Sequence, residues 1–236
     1  MINPTKNPEC EVCQIKGHCV FSDLESCYMS EISENKGFNF YKKGSTIFHE
    51  NNYPLGIYGI YEGKVKVYKT AETGKEHILR LAKEGDALGY RALISGEKYE
   101  VSTMALEDCR VCFIPKNLFL ETLKKSNNLT NKVIELLSFD LKTAELKIAD
   151  LAQKSVKERV AETILLLKNF YGMEKDEKTI NVALSREDLA NLVGTATETL
   201  IRSLSEFKKN KVVGLKGKKI VILNAKLLQR MANLFD

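Results

Sequence analysis

Hydrophobic positions change period along the 236-residue chain, and each change marks a different kind of element. From Phe38 to about Pro115, apolar and polar residues alternate in short runs such as Lys64-Val65-Lys66-Val67-Tyr68 and His77-Ile78-Leu79-Arg80-Leu81. Alternation is the strand period. Glycines at 63, 74, 85 and 96 punctuate it at intervals that predict a compact antiparallel roll. The last run, Arg110-Val111-Cys112-Phe113-Ile114, stops at Pro115, which cannot donate to a continuing ladder; alternation puts Cys112 on the opposite face from Val111 and Phe113.

Over 129–170 the period lengthens to that of a helix. Val133, Leu137, Leu141, Ala144, Ile148 and Leu151 recur at steps of four and three, the narrow seam of a coiled coil. No other stretch has comparable length and pattern, so the expected partner is the same helix from a second copy. The seam fails at Gln153-Lys154-Ser155, where Ser155-Val156-Lys157-Glu158 is an S-x-x-E capping box. This predicts a hinge at Lys154-Ser155 and a new helix with Val156, Val160, Ile164 and Leu167 on one face.

After Gly172, a charged connection leads to Ile180–Leu184, a short strand by pattern. Ser185-Arg186-Glu187-Asp188 then caps a helix, Val193-Gly194-Thr195 supplies a turn, and a second helix follows at once. Helix, glycine-containing turn, helix is the helix-turn-helix signature. The second helix has Ala196, Leu200, Leu204 and Phe207 as its apolar stripe and Thr195, Glu198, Arg202 and Ser205 as its polar edge, with Thr197 and Ile201 beside them. Glu198 can accept from cytosine N4, and Arg202 one turn later can give parallel donors to guanine O6 and N7. The first turns of such a helix are what reaches base edges. Read only as a surface pair, Glu198 and Arg202 would contribute ~0.2–0.5 kcal/mol. Lys208, Lys209 and Lys211, followed by the hairpin-like stretch 215–222 carrying Lys218, favour DNA: a basic wing suits phosphate contact. An amphipathic helix over 225–235 is expected to pack against the domain.

A net charge of +5 and a pI of about 8.7 allow a polyanionic partner without naming one. No apolar run reaches the ~20 residues of a membrane span, and Met1-Ile2-Asn3-Pro4 lacks the features of a signal peptide, so a cytoplasmic protein is expected. In a reducing compartment the six cysteines are better read as ligands than as disulfides. Cys10, Cys13 and Cys19 form C-x2-C-x5-C, a spacing that leaves zinc and iron–sulfur both open. Cys27 and Cys109 read as small buried residues, whereas Cys112 offers the fourth thiolate that the N-terminal trio lacks.

With these elements in place, the chain resembles the Crp/Fnr family of bacterial transcription regulators over nearly its whole length. The most specific part is Ser185–Gly194 followed by Thr197-Glu198-Thr199-Leu200-Ile201-Arg202. The resemblance implies an α+β fold: a cysteine-rich segment (1–28), an antiparallel, cyclic-nucleotide-binding-like β-roll (29–128), a dimerisation helix (129–154) and a winged helix-turn-helix domain (155–236). It also implies a homodimer on two-fold symmetric promoter DNA that contacts RNA polymerase. C-x2-C-x5-C together with Cys112-Phe113-Ile114-Pro115 is similar to the Fnr branch, which implies an oxygen-labile [4Fe–4S] cluster on Cys10, Cys13, Cys19 and Cys112. Attack by oxygen or nitric oxide would then weaken the dimer seam. Tyr99-Glu100 stands where the cyclic-nucleotide branch carries Arg-Ser, so no cyclic nucleotide is expected, a carboxylate being repulsive to phosphate. Ile201 replaces a serine usual in the Fnr branch, which points to apolar contact with a thymine methyl at that step. Cys27 is an extra thiol near the implied ligands.

Competing functions are an enzyme, a haem-based gas sensor and a zinc-stabilised regulator of the same fold. An enzyme is disfavoured because His18, His49 and His77 have no paired nucleophile and no glycine-rich phosphate loop opens a helix.

Overall fold

The computed structural model describes residues 8–233, and among these the alternating region forms two four-stranded antiparallel sheets. The first contains β1 (Gly37–Tyr41), β8 (Cys109–Pro115), β3 (Gly56–Glu62) and β6 (Ala87–Leu88), in that order. The second contains β2 (Thr46–Phe48), β7 (Ser102–Ala105), β4 (Val65–Thr70) and β5 (Glu76–Ala82). Ile60, Val65, Ala82 and Val111 are buried between them, the arrangement that period-2 alternation predicts. Gly63 turns between β3 and β4 at φ +97°, a backbone state that glycine takes without steric penalty.

Three short helices about the roll escape the hydrophobic pattern: α1 (Ser26–Asn35), α2 (Tyr90–Ser95) and α3 (Lys116–Lys125). They close a second core in which Met29, Ile32, Tyr90, Leu93 and Phe119 meet Ile57 and Ile114. Helix α4 (Asn127–Gln153) follows, and Leu129 and Val133 sink into this same core. The chain divides into two compact units, Met1–Leu141 and Lys142–Asp236, with the division inside α4.

This burial corrects the seam. Val133 is 4% exposed and belongs to the roll's own core, while its neighbour Ile134 is 55% exposed. Ile134, Leu141 and Ile148 repeat at seven residues, and Leu137, Ala144 and Leu151 interleave with them, which is the spacing of an a/d row. Leu141, Ile148 and Leu151 remain exposed.

α4 ends at Gln153 and α5 (Val156–Tyr171) starts behind a complete capping box: the Ser155 side chain accepts from the Glu158 amide, and the Ser155 amide donates to the Glu158 carboxylate at 2.7 Å. Val160, Ile164 and Leu167 are buried as the stripe predicts. They pack with α6 (Arg186–Val193), α7 (Thr197–Lys209) and α8 (Ala225–Met231). β9 (Val213–Lys216) and β10 (Lys219–Ile222) make the hairpin wing.

Ile180–Leu184 is not a strand. Thr179 bridges Val221 and Ile180 bridges Met173, after which the chain bends so that Val182 N–H bonds to the Ile180 carbonyl and Leu184 can bury. Among the described residues no helix is long and apolar enough to cross a membrane.

Replacing Ser155 with Ala removes half of the capping box and is expected to destabilise the second unit by about 1 kcal/mol. Thermal unfolding of the full chain measures this, and an unchanged transition would show that the cap does not define the hinge.

Candidate functional site

The second unit presents one exposed edge of α7. Ser185 caps α6 by accepting from the Asp188 amide, and Gly194 ends it in the left-handed conformation at φ 75°. That turn aims α7, whose Leu200, Leu204 and Phe207 are buried at 0–1% exposure. With that face fixed, Glu198, Ile201, Arg202, Ser205 and Lys208 stand exposed together, and Thr195 and Thr197 are half-buried at the turn. Ser205 donates its hydroxyl to the Ile201 carbonyl at 2.8 Å. Ala196, expected on the buried stripe, is instead the exposed N-cap residue of α7. Lys218 lies at the wing tip, where Gly217 at φ +58° permits a two-residue loop between the paired Lys216 and Lys219. Arg186 of α6 donates to the Gly217 carbonyl at 2.9 Å, which ties the wing tip to the first helix of the motif.

Cations that sequence reasoning missed hold the turn. Lys147, from the last turns of α4, donates to the Leu192 carbonyl at 3.1 Å, and burial lowers its pKa. Arg159 of α5 reaches the Lys154 carbonyl at 2.9 Å and the Gly194 carbonyl at 3.5 Å. Lys154 pairs with Asp150 at 2.8 Å and Glu162 at 2.9 Å, joining both sides of the hinge. Such side chains satisfy the carbonyls left open at a helix C-terminus.

In the first unit, Cys10, Cys13 and Cys19 lie on a chain of tight turns that includes a 3-10 turn at Lys16–His18. Gly85 seats this segment: at φ +91°, a Cβ there would meet the His18 carbonyl oxygen at 2.8 Å. Cys112 comes from β8, paired with Phe38 of β1 and Gly59 of β3. Cys10, Cys19 and Cys112 all pack against the core that contains Leu129 and Val133. Burial pushes the Cys112 thiol up to about 12; the Lys36 ammonium opposes this, while Cys10, Cys13 and Cys19 add to it. Cys19 is raised for the same first reason, with Cys13 and Cys10 contributing. The four sulfurs therefore share one electrostatic neighbourhood. Among the described residues, however, no three His, Cys, Asp or Glu side chains are already gathered as a metal-binding group. As a donor set, four thiols, three of them against an apolar wall, suit iron–sulfur or zinc chemistry. Cys109 is buried as expected, whereas Cys27 is exposed, against the buried position expected of it.

Aromatic rings pack against one another inside the roll. Phe48 and Tyr99 stack at 4.0 Å between centroids, Tyr58 sits 5.5 Å from Phe48, and Phe113 sits 5.1 Å from Tyr58. Glu100, expected to face a phosphate, is exposed instead and pairs with Arg91 at 3.2 Å. The volume of Tyr99, and not the charge of Glu100, is what occupies the interior.

An antiparallel roll, a long helix and a winged helix-turn-helix with an exposed polar reading edge define a DNA-binding transcription regulator. The cyclic nucleotide-binding domain family matches residues 38–126, and the Crp-like helix-turn-helix domain family matches residues 158–231. The fumarate and nitrate reduction regulatory protein of Escherichia coli K12 is 30% identical over 227 residues, covering 94% of this chain and 90% of that one. Its counterpart in Vibrio cholerae is 28% identical with the same coverage. Among solved structures, a regulator assigned to the crp/fnr family from Eubacterium rectale superposes at a TM-score of 0.77 with 24% identity, covering 91% of this chain and 97% of that one. The chain belongs to the Crp/Fnr family, whose members are transcription regulators and not enzymes.

Gly85→Ala combines positive φ, a penalty on the order of 1–2 kcal/mol, with the clash at His18. Faster amide exchange across residues 15–20 and an unchanged wing are expected by hydrogen-exchange mass spectrometry. Unchanged exchange there would show that Gly85 does not seat the cysteine segment.

Proposed function

We propose that the chain is a homodimeric regulator of two-fold symmetric promoters whose DNA binding answers to oxygen, redox state or nitric oxide through a [4Fe–4S] cluster on Cys10, Cys13, Cys19 and Cys112. The observation that carries this reading is the shared core: Cys10, Cys19 and Cys112 pack on the cluster of side chains that buries Leu129 and Val133, the first turns of α4. A [4Fe–4S] cluster held there would supply a centre that oxygen and nitric oxide attack. A second support is the name of the relatives, fumarate and nitrate reduction regulators.

The residues assign the remaining roles. Leu141, Ile148 and Leu151, with Ile134, are the seam for a second copy, their exposure removed by pairing. Glu198 and Arg202 read bases, Ile201 adds apolar contact to a thymine methyl, and Thr195, Thr197, Ser205, Lys208 and Lys218 contact the DNA backbone. The aromatic filling of the roll supports a regulator that takes no cyclic nucleotide. RNA polymerase is the further partner that family membership suggests, and the cytoplasm is the compartment.

Anaerobic purification tests the sensing reading. Stoichiometric iron and sulfide are expected, with promoter affinity falling on exposure to air; a colourless, zinc-loaded protein, or identical binding before and after air, would overturn it. Ile148→Glu is expected to give a monomer by sedimentation, and a stable dimer would remove the seam. Arg202→Ala is expected to lose ~1–3 kcal/mol of discrimination at one base pair. Lys218→Ala should instead weaken all sequences alike and lower the salt slope by about 1. Equal loss on all sequences for Arg202→Ala would place that residue on phosphate.

A further inference from the structure

Lys36 is a lysine that the fold has taken out of water. It lies between α1 and β1 at 6% exposure, although lysine is almost never buried without a partner that compensates its charge. Its backbone amide closes α1 on the Ile32 carbonyl, so its side chain leaves from the C-terminal end of that helix, where the carbonyl dipoles favour a cation. The ammonium donates to the Pro8 carbonyl and, at 3.0 Å, to the Cys10 sulfur. From Lys36 the chain runs directly into β1, which brings Gly37 opposite Phe113 and Phe38 opposite Cys112. Lys36 therefore touches one cysteine of the N-terminal turns and is strand-linked to the one in β8.

We propose that Lys36 is the charge-compensating residue of the cysteine site, setting its affinity for metal and the reduction potential of a cluster held there. The inference rests on Cys10, Cys13, Cys19 and Cys112 being the ligand set, and assigns a role to a residue outside it. Four sulfurs bind metal as thiolates, and assembling several negative charges in a half-buried place is unfavourable unless a positive charge is fixed nearby. The Lys36 ammonium, buried and 3.0 Å from the Cys10 sulfur, is placed to supply that charge. A cluster held by four thiolates is anionic and becomes more so on reduction. A buried cation bonded to a ligand sulfur therefore favours the reduced form and raises the potential. The Pro8 carbonyl and the end of α1 fix the ammonium before any metal arrives, so the favourable charge needs no rearrangement. Lys36 does not ligate metal; it is a positioning and electrostatic residue.

The test uses the full chain, prepared anaerobically as apoprotein and titrated with cobalt(II), whose thiolate charge-transfer absorption reports sulfur ligation. Lys36→Met, which keeps the length of the side chain and removes its charge, is expected to weaken cobalt binding by roughly 10–100-fold. Lys36→Arg should retain most of the affinity, and Lys36→Gln, which can still donate a hydrogen bond, should resemble Lys36→Met. After reconstitution with iron and sulfide, the midpoint potential of Lys36→Met should be more negative than that of the natural chain. Circular dichroism of the apoproteins separates these effects from misfolding, and the arginine variant keeps the test decisive if the methionine variant unfolds. If the natural chain binds cobalt through sulfur, and the methionine and glutamine variants bind as tightly with unchanged potential, the role of Lys36 is overturned while the ligand set stands. If the natural chain shows no sulfur ligation of cobalt and takes up no iron, the ligand set fails and Lys36 loses its role with it.

Discussion

The constraint on which the molecule turns is that α4 buries one stripe of its surface in the roll and leaves the adjacent apolar row exposed. Its first turns complete the core of the roll through Leu129 and Val133, while one residue further on Ile134 begins a row that the roll does not cover. Successive residues are rotated by about 100° on a helix, so the step from Val133 to Ile134 separates a side chain held inside from one left outside. Leu136 and Leu137, partly buried against the same core, sit at the handover. The cysteine segment and β8 press on this core from another side. Whatever alters their packing alters the platform on which the exposed row is presented. Tyr90 strengthens the same platform by donating its hydroxyl to Asp140, a bond between α2 and the middle of α4.

The interior of the roll is lined by aromatic rings. Here Phe48, Tyr58, Tyr99 and Phe113 form a continuous set of ring contacts, and the Tyr99 hydroxyl reaches the Gly56 carbonyl at 3.5 Å. Aromatic rings supply large apolar area and favourable edge and face geometry, so they stabilise the packing of the two sheets directly. On the outside of the roll, the cysteine segment covers the Gly85 turn.

Much of this was legible in the chain. Alternation with regular glycines gave the strands of the roll, the Ser155 capping box divided the long helix at the residue where it divides, and Ser185 with Gly194 bounded the first reading helix. These are local signals, set by dihedral preference and by amides that need acceptors close in sequence. What stayed hidden was settled by distant partners. α1, α2 and α3 are short and have a buried face only because the roll supplies one, and Ile180–Leu184 has a strand pattern without a neighbour along its whole length. Val133 and Ile134 are equally apolar, so pattern could not decide which faces the roll. Lys36 looked like an ordinary lysine before a helix end, a sheet register and Cys10 were brought around it. The cysteine spacing was visible, but that Cys112 packs on the same core as Cys10 and Cys19 depended on how β1 and β8 pair.

The reading edge raises the converse question of how a polar surface with so few apolar anchors is held in place. Leu200, Leu204 and Phe207 fix the rotation of α7, yet its angle is set at the turn, and there the bonds are charge-assisted. Lys147 and Arg159 bond to the carbonyls of Leu192 and Gly194, and Arg159 also holds the Lys154 carbonyl at the hinge. Lys154 in turn bridges Asp150 and Glu162 across that hinge. The last turns of α4, the hinge and the reading turn are thus one connected set of hydrogen bonds, each charged group sharing a partner element with the next. A shift at the end of α4 cannot be absorbed by sliding apolar side chains; it must break a charge-assisted bond or carry the turn with it. Carrying the turn moves Glu198 and Arg202 as a unit. In a two-fold dimer their spacing is what a palindromic site measures.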